Sequence, residues 1–148
     1  MTRSTAQRVK ESLEALLSQA NVWVATANHE ANPHMVPFSL HWDGEHIIIC
    51  TDPASATVKN LVSSPNAKLS IGDSNDVVLV TAELVSVVDV QKSDAQLVEQ
   101  FSARTGWNPN RETTDMVFVT LKPTKVHAWR DVAEINGRTI MRNGTWLH

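Results

Sequence analysis

Two β-rich runs joined by a two-residue turn constrain the fold of this chain more than any other feature. The runs extend from His34 to Trp42 and from Glu45 to Thr51, and Asp43-Gly44 lies between them. Asp-Gly between β-rich segments is a strong signal for a short hairpin turn. The pattern therefore predicts two strands that pair antiparallel through this turn.

Further β-rich runs lie on both sides of the hairpin, and three segments favour helices. The other β-rich runs are Asn21–Asn28, Ala67–Ile71, Val77–Val90, Thr114–Leu121 and Lys125–Arg130. The predicted helices are Thr5–Ala20, Ala54–Ser64 and Asp94–Thr105, the last capped by Ser93 and ended by Gly106. Antiparallel strands interrupted by short helices predict a mainly β fold, a β-barrel, because closing the sheet removes its exposed edges.

The length of 148 residues fits a single domain. We divide it into an N-terminal helix at about residues 5–20, a barrel at about 21–131 and a tail at about 132–148. In the final third we expect one or two closing strands, followed by a glycine-punctuated tail from Asn136 to His148 that is ordered or docked on a partner.

Charge and composition narrow the class of protein. The net charge of −3 and the isoelectric point near 6.0 argue against a nucleic-acid partner. The single cysteine, Cys50, allows no internal disulfide, which fits a reducing compartment. The N-terminus lacks the pattern of a signal peptide, and no apolar run reaches the roughly 20 residues of a membrane span. We therefore expect a soluble, cytoplasmic protein without a membrane partner.

Motifs for several common chemistries are missing. The sequence contains no Gly-x-Ser-x-Gly elbow, no Gly-x-Gly-x-x-Gly turn and no Walker loop. The six histidines show no metal-ligand spacing with acidic neighbours, so we predict no metal site. They are His29, His34, His41, His46, His127 and His148.

One position suits an anion, namely the junction from Thr51 to Asn60, where a strand ends and a helix begins. Backbone amides and the helix dipole favour negative charge at such a start. Ser55 and Thr57 offer hydroxyl groups, and Lys59 offers a positive charge. The alternative is an ordinary helix start whose polar residues face solvent.

Five tryptophans are many for a chain without tyrosine, and indole rings stack on planar ligands or fill interfaces. Trp23 lies in a β-rich run and is predicted to pack in the core. Trp107, Trp129 and Trp146 lie beside polar residues, which makes them candidates for an interface or a ligand.

Several stretches within about residues 10–135 carry a likeness to a known family. They are VATANHEANPHMVPFSLHWDGEHIIICTD, KNLVSSPNAKLSIGD, DVVLVTAELVSV, RTGWNP and LKPTKVHAWRD. In this order they resemble the FMN-binding split-barrel superfamily of pyridoxamine-phosphate oxidases and actinobacterial flavin/deazaflavin oxidoreductases. The resemblance implies a split β-barrel and a homodimer with its cofactor at the subunit interface.

The resemblance also implies, position by position, where the cofactor binds. The implied positions are His34, Met35, Val36, Pro37 and Phe38 beside the ring, Cys50 and Thr51 at a strand end, Ser55, Thr57 and Lys59 around the phosphate, and Trp107, Trp129 and Arg130 from the partner subunit. Family members commonly have Ser-Arg-Lys where this chain has Ser55-Ala56-Thr57, so both cations of the phosphate clamp are missing. Lys59 points about 200° around a helix from residue 57 and does not simply replace them.

The activity that the resemblance implies is hydride transfer between coenzyme F-420 or FMN and a small conjugated substrate. The overall pattern is closest to the actinobacterial branch, which favours coenzyme F-420. The alternative is a non-catalytic split-barrel protein that binds a flavin, haem, tetrapyrrole or lipid. The Ala56-Thr57 substitution favours that alternative.

Overall fold

Antiparallel strands make up most of the fold. The computed structural model describes residues 2–111 and 115–148. The strands are β1 (Asn21–Ala27), β2 (Pro33–Ser39), β3 (His41–Trp42), β4 (Ile47–Thr51), β5 (Asn66–Ile71), β6 (Val77–Asp89), β7 (Val117–Trp129), β8 (Thr139–Arg142) and β9 (Thr145–Trp146). The helices are α1 (Thr5–Ser18), α2 (Ala56–Ser63) and α3 (Ala95–Thr105). The predicted mainly β class is confirmed. Within the described ranges, no helix is long and apolar enough to cross a membrane.

One antiparallel sheet joins the described strands. Its order is β2-β1-β5-β6-β7-β4-β3, and β8 and β9 extend it from β7. β2 and β3 are consecutive in the chain but lie at opposite ends of this order, so the sheet curls into a barrel. Cα atoms of β2 and β4 approach within 8 Å across the closing gap, but this gap is not a ladder of the described sheet. This gap is the split of the predicted split barrel.

The predicted hairpin is correct only in its inner part. β3 pairs with β4, as expected, whereas β2 pairs with β1. Leu40 lies between the two strands and is 1% exposed. Because the chain turns inward at this buried leucine, the predicted run of residues 34–42 becomes two strands with different neighbours.

The start of α3 differs from the prediction by one residue. The Asp94 carboxylate caps the helix, since it accepts a hydrogen bond from the Gln96 amide at 2.9 Å. The Ser93 hydroxyl instead donates to the Asp89 carbonyl. Gly106 ends the helix as predicted, with a φ of 73° that suits glycine.

The two β-rich runs near the C-terminus form one strand, β7. Its register with β6 shifts beside Pro123, where the absence of an amide hydrogen is tolerated at a bulge. Thr114, the predicted start of the first run, lies outside the described residues. The expected closing strand is therefore β7, and the tail adds two short strands, β8 and β9, that the sequence pattern did not predict.

Alternation along β4 separates two apolar clusters. Ile47 and Ile49 belong to the main core inside the barrel. Ile48 and Cys50 belong to a second cluster that contains Phe101 of α3. Because successive side chains of a strand point to opposite faces, β4 serves both the barrel interior and the underside of α3.

An ionic network ties the N-terminus to the segment after β7. Glu134 is 4% exposed and accepts hydrogen bonds from the Arg3 guanidinium at 2.7 Å and 3.1 Å and from the Arg130 backbone amide at 2.8 Å. The bonds from Arg3 are the main reason that the pKa of the Glu134 carboxyl falls to about 2. The Arg130 guanidinium pairs with Glu11 and Asp76, each at 3.1 Å.

We predict that Glu134→Gln destabilises the fold by about 3 kcal/mol at pH 7, because it leaves the buried Arg3 guanidinium without its main partner. The folded-state pKa is depressed, so this stabilisation is present above the ordinary pKa of 4.5 and is lost as the pH falls toward 2. The difference in the free energy of unfolding between wild type and Glu134→Gln should therefore shrink as the pH falls over that range. Urea unfolding at a series of pH values measures it. The control is Glu14→Gln at an exposed glutamate. An undiminished difference in stability at pH 2 would contradict the role assigned to the ionised Glu134 carboxylate.

Candidate cofactor site

Side chains at the start of α2 are committed to forming the helix. The Ser55 hydroxyl accepts a hydrogen bond from the Val58 amide at 3.3 Å and acts as the N-cap. The Asp52 carboxylate accepts another from the Ala54 amide at 2.7 Å. The hydroxyl that the sequence offers to an anion therefore serves the helix itself.

Thr57 points into the protein. The residue is 1% exposed, and its Oγ1 atom is buried without a hydrogen-bond partner. An unpaired buried hydroxyl costs about 1–3 kcal/mol. Lys59, two residues further on, is exposed. The positions implied for a phosphate are thus divided between the interior and the solvent.

Asn60 links α2 to β1. Its side-chain amide donates to the Thr26 hydroxyl at 3.1 Å, and both residues are buried. Thr26 lies directly opposite His34 in the β1–β2 ladder, where facing Cβ atoms are about 5 Å apart. Thr57 precedes Asn60 by three residues and shares its helix face. We call Thr26, His34, Thr57 and Asn60 the α2 polar cluster.

A groove lies beside this cluster on the sheet. Its volume is about 400 Å³, which falls within the size range of small-molecule sites. Thr26 belongs both to the cluster and to the groove lining. Lys68 and Thr81 also line the groove, and the Lys68 ammonium donates to the Thr81 hydroxyl at 2.8 Å. The groove therefore lies on the outer face between β1 and the start of β5, while the side chains of the α2 polar cluster lie on the inner face.

Large apolar side chains are exposed on the strands beside the groove. Trp23 is 45% exposed and Met35 is 60% exposed, and exposed Pro37 lies directly opposite Trp23. The prediction that Trp23 packs in the core is wrong, because Val22 and Val24 occupy the inward positions and alternation turns Trp23 outward. We call Trp23, Met35 and Pro37 the apolar face.

Three of the implied positions line the inside of the barrel rather than the groove. Val36 and Phe38 alternate with the exposed residues of β2 and are half-buried. Thr51 ends β4 and is 9% exposed. The structure therefore divides β2 into an inward set and an outward set, and Met35 and Pro37 form the outward set.

Four other implied positions lie in different surroundings. Cys50 and Trp107 belong to the cluster beneath α3, where the Trp107 ring meets Phe101 edge-on with centroids 6.2 Å apart. Trp129 ends β7 and is half-buried opposite Val77. The Arg130 guanidinium is engaged in the ionic network.

A larger groove of about 710 Å³ lies on another part of the surface. It is lined in part by Leu17, His41 and Arg104, and none of the positions implied for the cofactor lines it. The Arg104 guanidinium there donates to the Leu16 and Gln19 carbonyls. These bonds satisfy carbonyl groups at the end of α1 and give Arg104 a structural role.

The start of α2 does not fit the phosphate of a flavin-type cofactor. The Ser55 hydroxyl caps the helix, position 56 is alanine and the Thr57 hydroxyl is buried. Among the described residues of this junction, only Lys59 supplies a positive charge, and the junction also contains the Asp52 carboxylate. The groove itself lies on the outer face of the sheet beside the apolar face and has room for part of a planar ring.

Sequence reasoning missed Thr26, Asn60 and Lys68 as site residues. The alternation of residues 21–27 would have placed Thr26 on the same face as Val22 and Val24. Asn60 gives no such signal, because its bond to Thr26 joins residues that are 34 positions apart.

The chain matches a known family over most of its length. Residues 9–130 match the sequence profile of the pyridoxamine 5'-phosphate oxidase family. No curated protein sequence matches the chain significantly.

Several solved structures are similar in fold. An F420 reductase has a TM-score of 0.65 and 17% identity, with 76% of this chain and 93% of that chain covered. The haem storage protein HutZ from Vibrio cholerae has a TM-score of 0.65 and 13% identity, with 93% and 99% covered. A pyridoxamine 5'-phosphate oxidase-related, FMN-binding protein from Nostoc punctiforme has a TM-score of 0.56 and 14% identity, with 86% and 84% covered. At these identities the likeness shows the fold.

We predict opposite effects for two threonine substitutions in the α2 polar cluster. Thr57→Val should leave stability unchanged or raise it by up to about 1–2 kcal/mol, because it removes an unpaired buried hydroxyl. Thr26→Val should lower stability by about 1–3 kcal/mol, because it leaves the buried Asn60 amide without its acceptor. Urea unfolding measures both. Equal losses in the two variants would show that Thr57 has a partner in solution.

Proposed function

The chain belongs to the pyridoxamine 5'-phosphate oxidase family, and on this premise we propose that it is a cytoplasmic oxidoreductase. It binds a flavin or deazaflavin in the groove beside α2 and works as a homodimer. Coenzyme F-420 is the favoured cofactor and FMN is the alternative. When bound, the cofactor supplies hydride chemistry toward a small conjugated substrate.

The observation that carries this proposal is the groove on the outer face of the sheet, where Ala25, Ala27 and Lys68 form a cleft beside the apolar face. The side chain of Thr26 faces the barrel interior and accepts the bond from the Asn60 amide there, so the α2 polar cluster supports this part of β1 from the opposite side. A mainly apolar cleft with a few convergent polar groups is the usual form of a small-molecule site. His34 adds an imidazole at the cluster, opposite Thr26.

In this proposal the protein binds and orients the ring and excludes water from it. Ala25 and Ala27 are small enough to allow close approach from the outer face. The Asn60 side chain bonds Thr26 from the inner side of the sheet, so it holds the β1 part of the groove lining in place. No side chain of the groove has to act as a catalytic acid or base.

The second candidate is a carrier that keeps the barrel without the chemistry. The absence of cations at Ala56 and Thr57 favours it, since a phosphate-bearing cofactor would lack charged partners there. Haem, a tetrapyrrole and a lipid are the alternative ligands. The absorption spectrum of the purified protein separates the candidates, because a flavin gives a yellow, fluorescent preparation and haem gives a Soret band.

We predict that the apoprotein binds coenzyme F-420 or FMN with micromolar or tighter affinity. The measurement is titration with each cofactor, followed by quenching of tryptophan fluorescence, to which the exposed Trp23 ring contributes. Ala25→Phe fills the groove and should weaken binding by at least about tenfold. Ala133→Phe, at an exposed position outside the groove, is the matched control. No binding of either cofactor at high micromolar concentration would refute the oxidoreductase and leave the carrier.

The apolar face supports the homodimer. Trp23 and Met35 expose large apolar side chains on neighbouring strands, and contiguous exposed apolar surface marks protein interfaces. An aromatic residue and a methionine are also enriched in interfaces. A second copy of the chain would cover this face and enclose the groove.

We predict that Met35→Asp converts the dimer to a monomer, because it buries a charge in an apolar interface. Light scattering at micromolar protein concentration gives the mass directly. Val132→Asp is the control, since Val132 is 84% exposed and lies outside the apolar face. A Met35→Asp variant that remains dimeric would place the interface elsewhere.

A further inference from the structure

The two cations of the phosphate clamp are absent at Ala56 and Thr57. Other positive charges lie on the outer face of the sheet. Lys68 of β5, Thr81 of β6 and Lys125 of β7 are paired across three neighbouring strands. Strand spacing is about 4.8 Å, so the two lysine backbones lie about 10 Å apart. Two flexible side chains at this separation can converge on one anion between them.

His127 extends this charge along β7. It lies two residues from Lys125 and therefore on the same face, and it is half-buried. Burial is the main reason that the pKa of its imidazole lies below the ordinary value, and the charges of Arg138, Lys125 and Lys68 lower it further. We call Lys68, Lys125 and His127 the cationic stripe.

The structure does not neutralise the cationic stripe. Among residues 2–111 and 115–148, no ion pair involves Lys68, Lys125 or His127. The pKa of Lys68 is lowered by burial and by the charge of Lys125. Glu83 is the next residue of β6 on this face; in the two ladders it lies opposite Asn66 and Lys122, not opposite Lys68 or Lys125. The ammonium groups of Lys68 and Lys125 are therefore neighbouring like charges with no ion-pair partner in the part of the chain that the structure describes.

We propose that Lys68 and Lys125 bind the phosphate group of the ligand, in place of the clamp that α2 lacks. The inference rests on the proposed function in that it assigns this phosphate to the ligand of the groove. Phosphate oxygens accept charge-assisted hydrogen bonds from lysine ammonium groups. His127 lies two residues from Lys125 on the same face of β7. An anion bound nearby would stabilise the protonated form of its imidazole.

The groove and the stripe form one continuous surface. Four residues form a row across the neighbouring strands. Met35 of β2 lies opposite Ala25 of β1, Ala25 lies opposite Lys68 of β5, and Lys68 lies opposite Thr81 of β6. A ligand along this row meets apolar side chains at one end and ammonium groups at the other. Lys68 lines the groove itself, so a ring in the groove and a phosphate on the stripe require no rearrangement of the strands.

The first experiment uses inorganic pyrophosphate, which tests the stripe without any cofactor. Calorimetric titration of the full chain should show binding that weakens by about tenfold or more in the double variant K68Q/K125Q. K68R/K125R keeps the charge and should retain binding. K10Q, at an exposed lysine of α1, is the control. In wild type, NMR titration of the His127 ring should show a higher pKa with pyrophosphate than without it.

The position of the anion is decided by K59Q. Loss of pyrophosphate binding in K59Q with normal binding in K68Q/K125Q would place the anion at α2 and overturn the inference. Absence of pyrophosphate binding to wild type would also overturn it. The melting temperature of each variant shows whether it is folded. If K68Q/K125Q does not fold, the single variants K68Q and K125Q carry the test, and normal pyrophosphate binding in both overturns the inference.

The second experiment compares FMN with riboflavin, which lacks the phosphate. Wild type should bind FMN at least about tenfold more tightly, and K68Q/K125Q should remove this difference. Equal preference for FMN in both proteins would overturn the inference. If pyrophosphate binds the stripe but neither FMN nor coenzyme F-420 binds, the proposed oxidoreductase fails while the anion site stands.

Discussion

Strict alternation along β1 and its neighbours is the constraint on which the rest of this structure depends. Val22 and Val24 are fully buried, as are Leu69 of β5 and Val80 of β6. A slip of one residue in any ladder would move these side chains to solvent and bring Trp23 inside. The register that forms the core therefore also decides what the outer face displays, namely an indole ring, a thioether and lysines rather than a uniform polar surface.

The requirements of folding also determine which residues stand at the start of α2. A short helix at the end of a barrel needs a cap and an anchored face, because isolated short helices are marginal in water. Ser55 provides the cap, and Thr57 and Asn60 face the barrel. The residues that would hold a phosphate in the related pattern are thus used for folding. In the proposed function, charge for a ligand would come from another element, and β5 and β7 carry lysines one strand away on either side of Thr81.

Local signals in the sequence were sufficient to predict helices, strands and turns. They were insufficient to predict which strands pair with one another. Gly106 ended α3, and Asp43-Gly44 gave a turn, since both act within a few residues. Leu40 carried no local signal of a break, because the bend depends on which strands lie on either side of the barrel gap. Trp23 was misassigned because indole is apolar, whereas its position in the alternation between two valines decides its direction. The juxtaposition of Lys68 and Lys125 depends on two ladders, which residue patterns alone do not align.

The apolar face and the cationic stripe occupy one surface, so the proposed association and the proposed ligand binding would be coupled. If two copies pack through Trp23 and Met35, their lysines approach one another in a medium less polar than water, and like charges then repel more strongly. A bound anion removes this repulsion. By linkage, a ligand that binds the dimer better than the monomer stabilises the dimer, and the dimer binds the ligand more tightly to the same extent. An enzyme and a carrier would share this coupling, because it arises from the placement of charge and apolar area rather than from the chemistry of the ring.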